Sequence, residues 1–448
     1  MLEPIQPSTP GQIGFYACGP TVYQRAHIGN LRAYVMQDVL RRTLEMLERL
    51  RVRHVMNITD VGHLTDDADT GEDKMEKASR EQGKDAWSIS REYTEAFLRD
   101  LERINIVKPT IMPRATDHIV EQIELIKTLE EKGFTYQISD GIYFDTSKLP
   151  TYGSFSGQKL EDKQEGARVE TNEEKRNPSD FALWKFSPTD GKRQMEWQSP
   201  WGVGFPGWHV ECSAMSRKEL GQPFDIHAGG VDHIPVHHEN EIAQSMAAYG
   251  VPLAKHWVHS EFLLVDGQKM SKSLKNDYSL DQLREKGIEP LAYRLFLLGA
   301  HYRTKQNFTW EAVEGAQAAL NRLRRAVRAW DKSGSGDLET EAVFQAAVED
   351  DLNTPKALAV LWELVDSDFA TATKSSTILW MDRVLGLQLD QCVAKPLLIP
   401  VEIKEVADRR WKARQARDWP ESDRLRDELA RAGWHVEDGK DGYHLERR

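Results

Sequence analysis

Several features are scarce in this 448-residue sequence. Only three cysteines occur, Cys18, Cys212 and Cys392. A small and odd number of cysteines argues against a disulfide framework and favours a reducing compartment. No apolar run approaches the roughly 20 residues that a membrane-spanning helix needs. The N-terminus lacks the basic start and apolar core of a secretory signal. We therefore expect a cytoplasmic protein without a membrane partner.

An excess of positive charge is also missing. The chain has 59 Lys and Arg against 71 Asp and Glu, a formal net charge of −12. A dedicated duplex-DNA binder is usually basic, so this balance argues against DNA as a partner. It leaves open a large enzyme that binds RNA through local basic patches. The length favours two to four domains.

The order of predicted elements indicates an α/β fold. Gly14–Tyr23 is predicted to form a short strand that runs into a Gly/Pro turn, His27–Leu50 a helix, and Arg53–Thr59 a second strand. This order begins a βαβ unit and predicts a Rossmann-like parallel sheet. From about Leu291 the pattern is almost purely helical.

Shifts in composition predict five segments. The region after Tyr136 is rich in Gly, Lys, Asp and Glu, which indicates an insertion between two halves of a nucleotide-binding domain. The predicted segments are a first half of the Rossmann catalytic domain (1–135), an insertion (136–201), a second half (202–290), a helical bundle (291–395) and a small C-terminal module (396–448).

A first candidate phosphate site is His27-Ile28-Gly29-Asn30, at the start of the predicted helix. A helix N-terminus presents free N–H groups and partial positive charge, so it attracts phosphate. Gly29 allows close approach of a nucleotide to the backbone, and His27 and Asn30 can donate hydrogen bonds to phosphate oxygens. By itself so short a match also fits an ordinary helix start.

A second candidate lies in Lys269-Met270-Ser271-Lys272-Ser273, which closely follows Asp266-Gly267. Two lysines that flank a serine in a Gly-led loop suit a cationic clamp on a triphosphate. A solvated surface loop is the alternative for a generic lysine pair. The occurrence of both motifs in this order favours a nucleotide site.

Four residues could hold a metal. His237 and Glu241 are four apart in a predicted helix, which places them on one face. With the thiolates of Cys18 and Cys212 they would make a mixed tetrahedral zinc set. His238 or His233 could replace His237, and a pair of cysteines can also be merely buried and inert.

Both phosphate motifs resemble the signatures of class I aminoacyl-tRNA synthetases, with Asn30 in place of the usual second histidine. Gly229-Gly230-Val231-Asp232 resembles the segment with which that family binds adenosine. The resemblance is narrower still, to cysteinyl-tRNA synthetases. It rests on CGPTVY at Cys18, GWHVECSAM at Cys212, HHENEIAQS after Asp232, KRNPSDFALWK at 175–185 and DDLNTPKA at 350–357.

The resemblance implies an ATP-dependent ligase that forms cysteinyl adenylate and transfers cysteine to tRNA, with Mg²⁺ accompanying ATP. It implies catalytic roles for His27, Asn30, Lys269 and Lys272. It further implies that ATP is bound by these four residues together with Gly29, Gly229, Gly230 and Asp232, the last meeting the ribose hydroxyls.

The resemblance also implies one zinc per chain on Cys18, Cys212, His237 and Glu241, which takes the substrate thiolate as an additional ligand. Such a site distinguishes cysteine from serine, because a soft thiolate binds zinc better than an alcohol does. The implied contacts with the cysteine substrate are Cys18, Gly19, Thr59 and Trp208.

Some positions depart from the common family pattern. The sequence has His233-Ile234-Pro235-Val236 where relatives usually have a Leu-x-Phe-Pro stretch, and Val61-Gly62-His63-Leu64 where many have acidic residues. Thr59, His209, His233 and His238 are expected to lie around the zinc ligands. The roles of His63 and His233 stay open.

The C-terminal module interleaves basic residues with tryptophans. Arg and aromatic side chains suit single-stranded RNA, whose bases stack and whose phosphates pair with cations, although a solvated helical face is the common alternative. The resemblance implies that this module reads the anticodon of cysteine tRNA. The residues concerned are Arg409, Arg410, Trp411, Lys412, Arg414, Arg417 and Trp419.

Two other functions fit parts of the sequence. A cysteine ligase that acts on a small amine, as in mycothiol biosynthesis, would share the catalytic core but lack the module at Ile403–Arg448. A noncatalytic zinc-stabilised RNA-binding protein would not need the two phosphate motifs. The sequence therefore favours cysteine tRNA, L-cysteine and ATP as partners.

Replacing Lys272 with Ala should reduce adenylate formation more than cysteine binding, because its charge matters most as phosphate charge develops. The loss of one charge-assisted contact should cost about 2–4 kcal/mol of transition-state stabilisation. ATP–pyrophosphate exchange measures the effect, and an unaltered exchange rate in the variant would show that Lys272 does not act on the phosphates.

Overall fold

The structure, a computed structural model, describes residues 3–63, 72–157, 172–188, 193–271, 274–332, 334–439 and 442–447. Three positions of the motifs above, Leu64, Lys272 and Ser273, lie outside these residues. The chain divides into two compact units, Met1–Ser279 with Tyr302–Asn307, and Leu280–His301 with Phe308–Arg448. No helix among the described residues is long and apolar enough to cross a membrane.

Within its described residues, the first unit contains a parallel sheet and the helices α1 to α6. The sheet has the order β2-β1-β7-β8, and all of its strand pairs are parallel. Its strands are β1 (Gln12–Ala17), β2 (Arg51–Met56), β7 (Phe224–Gly230) and β8 (Ala254–Ser260). The helices of this unit are α1 (Ile28–Met46), α2 (Lys74–Gln82), α3 (Ala86–Arg103), α4 (Ile119–Glu131), α5 (Trp208–Leu220) and α6 (Glu239–Tyr249). The predicted βαβ start, β1-α1-β2, is confirmed.

A second sheet of the first unit is antiparallel. It has the order β3-β4-β5-β6 and consists of β3 (Thr135–Ile138), β4 (Gly141–Phe144), β5 (Phe181–Phe186) and β6 (Gly204–Pro206). Its strands lie in and beside the range predicted as an insertion. A third, small sheet has the order β10-β9-β11, from β9 (Leu263–Val265), β10 (Gln268–Lys269) and β11 (Gln306–Phe308).

The second unit is helical, as the sequence pattern predicts. Its helices are α7 (Leu280–Glu285), α8 (Pro290–Leu298), α9 (Trp310–Arg328), α10 (Leu338–Glu349), α11 (Thr354–Asp366), α12 (Thr371–Leu385), α13 (Val401–Gln415) and α14 (Trp419–Arg431). A hairpin of β12 (Trp434–Asp438) and β13 (Tyr443–Arg447) packs against α13 and α14 around a small apolar core. The finer division into five segments stays a prediction.

One buried histidine of the parallel sheet is held neutral by its surroundings. His54 on β2 is 1% exposed and stacks on Phe15 of β1, with ring centroids 4.4 Å apart. Burial lowers the pKa of His54 to about 3, and the charge of Arg41 lowers it further while Asp38 opposes the shift. The folded chain therefore leaves this imidazole unprotonated at a pH where an unfolded chain would protonate it.

His54 should make folding sensitive to mild acid. The stability that neutral His54 contributes is complete above a pH of about 6.5, the pKa of histidine in an unfolded chain. It is lost as the pH falls toward the pKa of His54 in the folded chain, at up to about 1.4 kcal/mol per pH unit. Replacing His54 with Phe keeps a stacking ring and should flatten the fall in unfolding free energy between pH 6.5 and 4. Urea unfolding at several pH values measures this, and identical slopes for the two proteins would contradict it.

Candidate active site and metal centre

The predicted site residues of the first unit converge at the carboxyl edge of the parallel sheet. Cys18 follows β1, Thr59 follows β2, and Asp232 follows β7. Ligand sites of open α/β sheets lie outside this edge, because loops from several strands meet there. A single cleft is lined by members of each predicted group, namely Cys18, Gly19, His27, Gly29, Asn30, Thr59, Trp208, Cys212, Gly229, Gly230, Asp232, His237 and Lys269.

Two overlapping clusters of metal-ligating side chains lie beside this cleft. Donor atoms of Cys18, Cys212 and His237 lie within 4.8 Å of one another. A second group, sharing Cys18, contains His227, His238 and Glu241. The structure thus brings three of the four predicted ligands into one group. It places Glu241 in the adjoining group, with its Oε2 3.9 Å from His237 Nε2.

Local structure explains how the ligands reach one point. Cys212 lies one turn after Trp208 on α5, which begins directly after β6. A single turn of π-helix, Ile234–His238, precedes α6 and carries His237 toward the thiols. Such π-turns often occur at functional sites, because they shift side chains relative to a regular helix.

The cluster is buried, and burial acts on the pKa values of its members. Burial raises the pKa of Cys18 well above its ordinary value, and the neighbouring Cys212 raises it further. Burial also lowers the pKa of His237 well below its ordinary value. Oxygen Oε2 of Glu241 has no hydrogen-bond partner among the described residues. The Oε1 atom of Glu241 contacts His227 Nε2 at 3.3 Å. Thiols, a neutral imidazole and a carboxylate are a donor set that fits a zinc ion.

Further histidines surround the ligands. His238 Nε2 lies 3.5 Å from Cys18 Sγ, and His238 Nδ1 lies 2.8 Å from His259 Nε2. His209 and His237 approach through their Nδ1 atoms at 2.9 Å. His209 and His238 were expected near the ligands. His227 and His259 were not predicted, and they lie on β7 and β8 of the parallel sheet.

The start of α1 is shaped for close approach of a ligand. His27 is the N-cap: its Nδ1 accepts a hydrogen bond from the backbone N–H of Asn30, and the Asn30 side chain accepts one from the backbone of His27. A Cβ added at Gly29 would lie 3.1 Å from His27 and from Met270. His27, Gly29, Lys269 and Met270 therefore lie around one part of the cleft. Within the described part of the lysine motif, Lys269 Nζ lies 5.1 Å from the Phe262 ring centroid.

The segment Gly229-Gly230-Val231-Asp232 is equally tight. A Cβ at Gly230 would lie 2.2 Å from Asp232 Oδ1, and one at Gly229 would lie 2.6 Å from His233 Nδ1. A larger residue at either position would force these side chains to move. His233 lines the cleft and packs edge-on against Trp208, with ring centroids 6.4 Å apart.

The residues predicted to contact cysteine lie together on one wall. The backbone N–H of Gly19 donates to Asn57 Oδ1 at 2.8 Å, and Asn57 Nδ2 donates to Thr59 Oγ1 at 2.9 Å. A Cβ at Gly19 would lie 1.7 Å from the Asn57 carbonyl oxygen, so this position requires glycine. Trp208 is half-buried over His237, with ring centroids 4.5 Å apart.

Behind this wall lies a buried acidic residue that the sequence analysis did not identify. Glu211 is completely buried, and its Oε1 lies 2.9 Å from His63 Nε2. Burial raises the pKa of Glu211, whereas His63 and Thr59 lower it. This contact gives His63 a place in the site. The sequence does contain a signal for Glu211. It is a charged residue directly before Cys212, in a helical turn whose other residues are apolar or small.

The C-terminal basic cluster only partly faces solvent. Arg410 is completely buried and donates to both carboxylate oxygens of Asp438 at 2.5 and 2.9 Å. Arg414 also pairs with Asp438 at 3.1 Å. The expectation that Arg410 contacts RNA does not fit this burial, because its guanidinium holds β12 on α13. Lys412, Arg417 and Trp419 are exposed on the surface of this module.

Comparison with known families assigns the whole chain. Residues 4–318 match the family of class I (C) tRNA synthetase catalytic domains, 343–372 the DALR domain, and 399–444 the cysteinyl-tRNA ligase anticodon-binding domain. The cysteine–tRNA ligase 1 of Burkholderia lata is 53% identical over 99% of this chain and 94% of its own. The chain belongs to the cysteine–tRNA ligase family.

Other comparisons agree. A cysteine–tRNA ligase of Thermus thermophilus is 42% identical over 99% of this chain and 97% of its own. Mycobacterium tuberculosis methionyl-tRNA synthetase bound by methionyl-adenylate has a TM-score of 0.57 at 17% identity, covering 86% of this chain and 92% of that one. This likeness confirms the class I synthetase fold. The match to the anticodon-binding domain disfavours the small-amine ligase, and the catalytic-domain match disfavours a noncatalytic protein.

Arg410→Ala should destabilise the C-terminal module by about 2–3 kcal/mol, because it leaves the Asp438 carboxylate without its bidentate partner. Lys412→Ala, an exposed change on the same helix, should alter stability by no more than about 0.5 kcal/mol. Urea unfolding and limited proteolysis of the C-terminal segment measure both. Equal stability of the two variants would show that the buried pair is not structural.

Proposed function

We propose that this enzyme works in the cytoplasm and selects L-cysteine through a zinc ion. It activates cysteine with ATP at the edge of the parallel sheet and transfers it to the 3′ end of cysteine tRNA. One observation carries the proposal: a buried group of two thiols and an imidazole lies beside the cleft that also contains the nucleotide motifs. DNA and membranes are not among the proposed partners.

Cys18, Cys212, His237 and Glu241 would hold the zinc. When bound, zinc supplies a Lewis acid that takes the substrate thiolate as an additional ligand and lowers the pKa of its thiol. Cys18 belongs to both clusters. His238, whose Nε2 lies 3.5 Å from the Cys18 sulfur, is therefore the alternative candidate ligand. Trp208, half-buried over His237, is proposed to cover the bound side chain.

Selection against serine follows from ligand chemistry. A pocket that relies on shape gains only about 1–3 kcal/mol between close analogues. A metal with two sulfur ligands prefers a third thiolate over an alcohol, because softer donors bind it better. Gly19 and Thr59 then hold the remainder of the amino acid on the wall beside Cys18.

The chain's own residues position ATP for attack. We assign the N-terminus of α1 and four side chains to the phosphates, namely His27, Asn30, Lys269 and Lys272. Negative charge develops there as the cysteine carboxylate attacks the α-phosphorus and pyrophosphate leaves. Gly29, Gly229 and Gly230 allow close approach, and Asp232 accepts hydrogen bonds from the ribose. Mg²⁺ accompanies ATP and neutralises part of its charge.

Transfer requires tRNA. A ribose hydroxyl of the 3′-terminal nucleotide attacks the carbonyl carbon of the adenylate, and AMP leaves. The C-terminal module is proposed to bind the anticodon through its exposed cations and Trp419, since base stacking and phosphate pairing need solvent-facing groups. Arg410 is left out of this contact because it is buried.

Cobalt substitution tests the metal's role. The purified chain should contain about one zinc, and in the cobalt form added cysteine should change the visible spectrum as a new thiolate binds. Cysteine affinity should rise with pH until the free thiol itself ionises, because the bound ligand has lost a proton. Serine at the same concentration should leave the spectrum unchanged.

The Cys212→Ser variant provides the comparison. It should bind metal more weakly and discriminate less between cysteine and serine in ATP–pyrophosphate exchange, while far-UV circular dichroism stays unchanged. If cysteine leaves the cobalt spectrum unaltered while adenylate still forms, the metal is structural and the selectivity comes from the pocket.

A further inference from the structure

Arg32 on α1 is a buried cation to which the function proposed above assigns no role. It lies five residues after His27 and is 4% exposed. Its Nη1 donates to the Phe262 carbonyl oxygen at 2.6 Å, and its Nη2 donates to the Thr304 carbonyl oxygen. A buried guanidinium is costly to place unless its donors are satisfied, so the groups that it contacts indicate what it contributes.

Both carbonyls adjoin strands of the small sheet that contains Lys269. Phe262 directly precedes β9, which pairs with β10, the strand of Lys269. Thr304 lies two residues before β11, the strand on the other side of β9. The Phe262 carbonyl also accepts from the backbone N–H of Gln306 at 3.3 Å, so it joins β9 to β11. Arg32 therefore holds the start of two strands of this sheet against α1.

The chain on the other side of the lysine motif also returns to α1. The backbone N–H of Ile28, the first residue of this helix, donates to the Tyr278 carbonyl oxygen at 2.8 Å. Phe262 precedes the motif and Tyr278 follows it, so α1 contacts the chain on both sides of the motif. Lys269 itself is exposed, and its Nζ lies 5.1 Å from the Phe262 ring centroid. The position of Lys269 relative to α1 thus depends on the backbone that carries it and on Phe262.

Two phosphate motifs on separate elements need a fixed separation. In the function proposed above, the His27–Asn30 motif and Lys269 bind one triphosphate, and a displacement of about 1 Å between such groups can lower the rate about 100-fold. A guanidinium suits this task, because its donors lie in one plane and point in fixed directions. Bonds to two carbonyls define both the distance and the orientation of the small sheet relative to α1.

We propose that Arg32 is a positioning residue that holds the β9–β10 hairpin against α1, so that Lys269 and the His27–Asn30 motif act on the same triphosphate. The proposal rests on the function proposed above, which assigns these groups to the ATP phosphates. Arg32 is not among the described residues that line the cleft. Its effect on the reaction therefore passes through the elements that it holds, not through contact with ATP.

The test measures ATP–pyrophosphate exchange with the full-length chain. Arg32→Met removes the donors but keeps an unbranched side chain. Its kcat should fall about 10- to 100-fold, because Lys269 no longer has a fixed position as phosphate charge develops. The KM for cysteine and the metal content should stay unchanged, because the residues proposed to bind them lie outside α1 and the small sheet. Arg32→Lys keeps the charge but not the planar fork, so its kcat should fall about threefold or more.

Arg41→Met is the matched control on the same helix. Arg41 is also buried, at 8% exposure, and its Nη1 donates to the Lys108 carbonyl oxygen at 2.8 Å. Lys108 lies outside the small sheet, so this variant should lose stability but retain the kcat of exchange. Backbone hydrogen exchange at 262–271 should become faster in Arg32→Met and not in Arg41→Met. A kcat loss of the same size in both variants would overturn the proposal, because it would show a general effect of a lost helix contact.

A double variant shows whether Arg32 acts through Lys269. In a Lys269→Ala background, Arg32→Met should lower kcat by less than about threefold further, because the group that it positions is already gone. A larger further loss would overturn the proposal, as would an unaltered kcat in Arg32→Met alone.

Should Arg32→Met fail to fold, Arg32→Lys replaces it in each measurement, and a kcat equal to that of the unaltered chain would overturn the proposal. Failure of the proposed function is distinct from these outcomes, because it would show as absent pyrophosphate exchange in the unaltered enzyme.

Discussion

Burial of polar donors at one edge of the parallel sheet is the constraint on which the site depends. Two thiols, several imidazoles and two carboxylates lie almost entirely out of water. Burial raises the pKa of Cys18 and lowers the pKa of His237, so it acts against the charged forms of these two groups. A bound cation would offset this cost, because it favours thiolate and carboxylate together. The same groups would be a poor core without a cation, and this supports the zinc ion proposed above.

The close approach of the backbone to neighbouring atoms at three glycines is the second constraint. Gly19, Gly29 and Gly229 each lie where a Cβ would meet another atom at 3.1 Å or less. At Gly19 the obstacle is backbone, which cannot move aside as a side chain can. The residues around these glycines, including the start of α1, line one cleft. Catalysis by positioning needs this proximity, since reacting groups must lie within contact distance before charge develops.

The residues proposed for chemistry and those proposed for RNA lie in different units. The first unit contains the residues proposed to bind the nucleotide and the metal, and the second contains the module that matches an anticodon-binding domain. In that module charge serves two purposes. Arg410 is buried on Asp438 and joins α13 to β12, whereas Lys412 and Arg417 on or just after the same helix face solvent. A basic cluster in a sequence therefore combines residues that hold the module together with residues free to meet a phosphate.

The sequence by itself determined the βαβ start, the helical C-terminal half and the motifs around His27, Cys18 and Asp232. Each of these depends on periodicity, glycine placement or residue type within a short stretch, and local chain geometry encodes such features. Only the tertiary structure decided that His227 joins a ligand group, that His259 contacts His238, that Glu211 meets His63, and that Arg410 is buried. Those facts depend on which strands pair and how helices pack between residues far apart in the chain. The spacing of residues within a short stretch does not predict these contacts, because their free energy arises only when the distant segments meet.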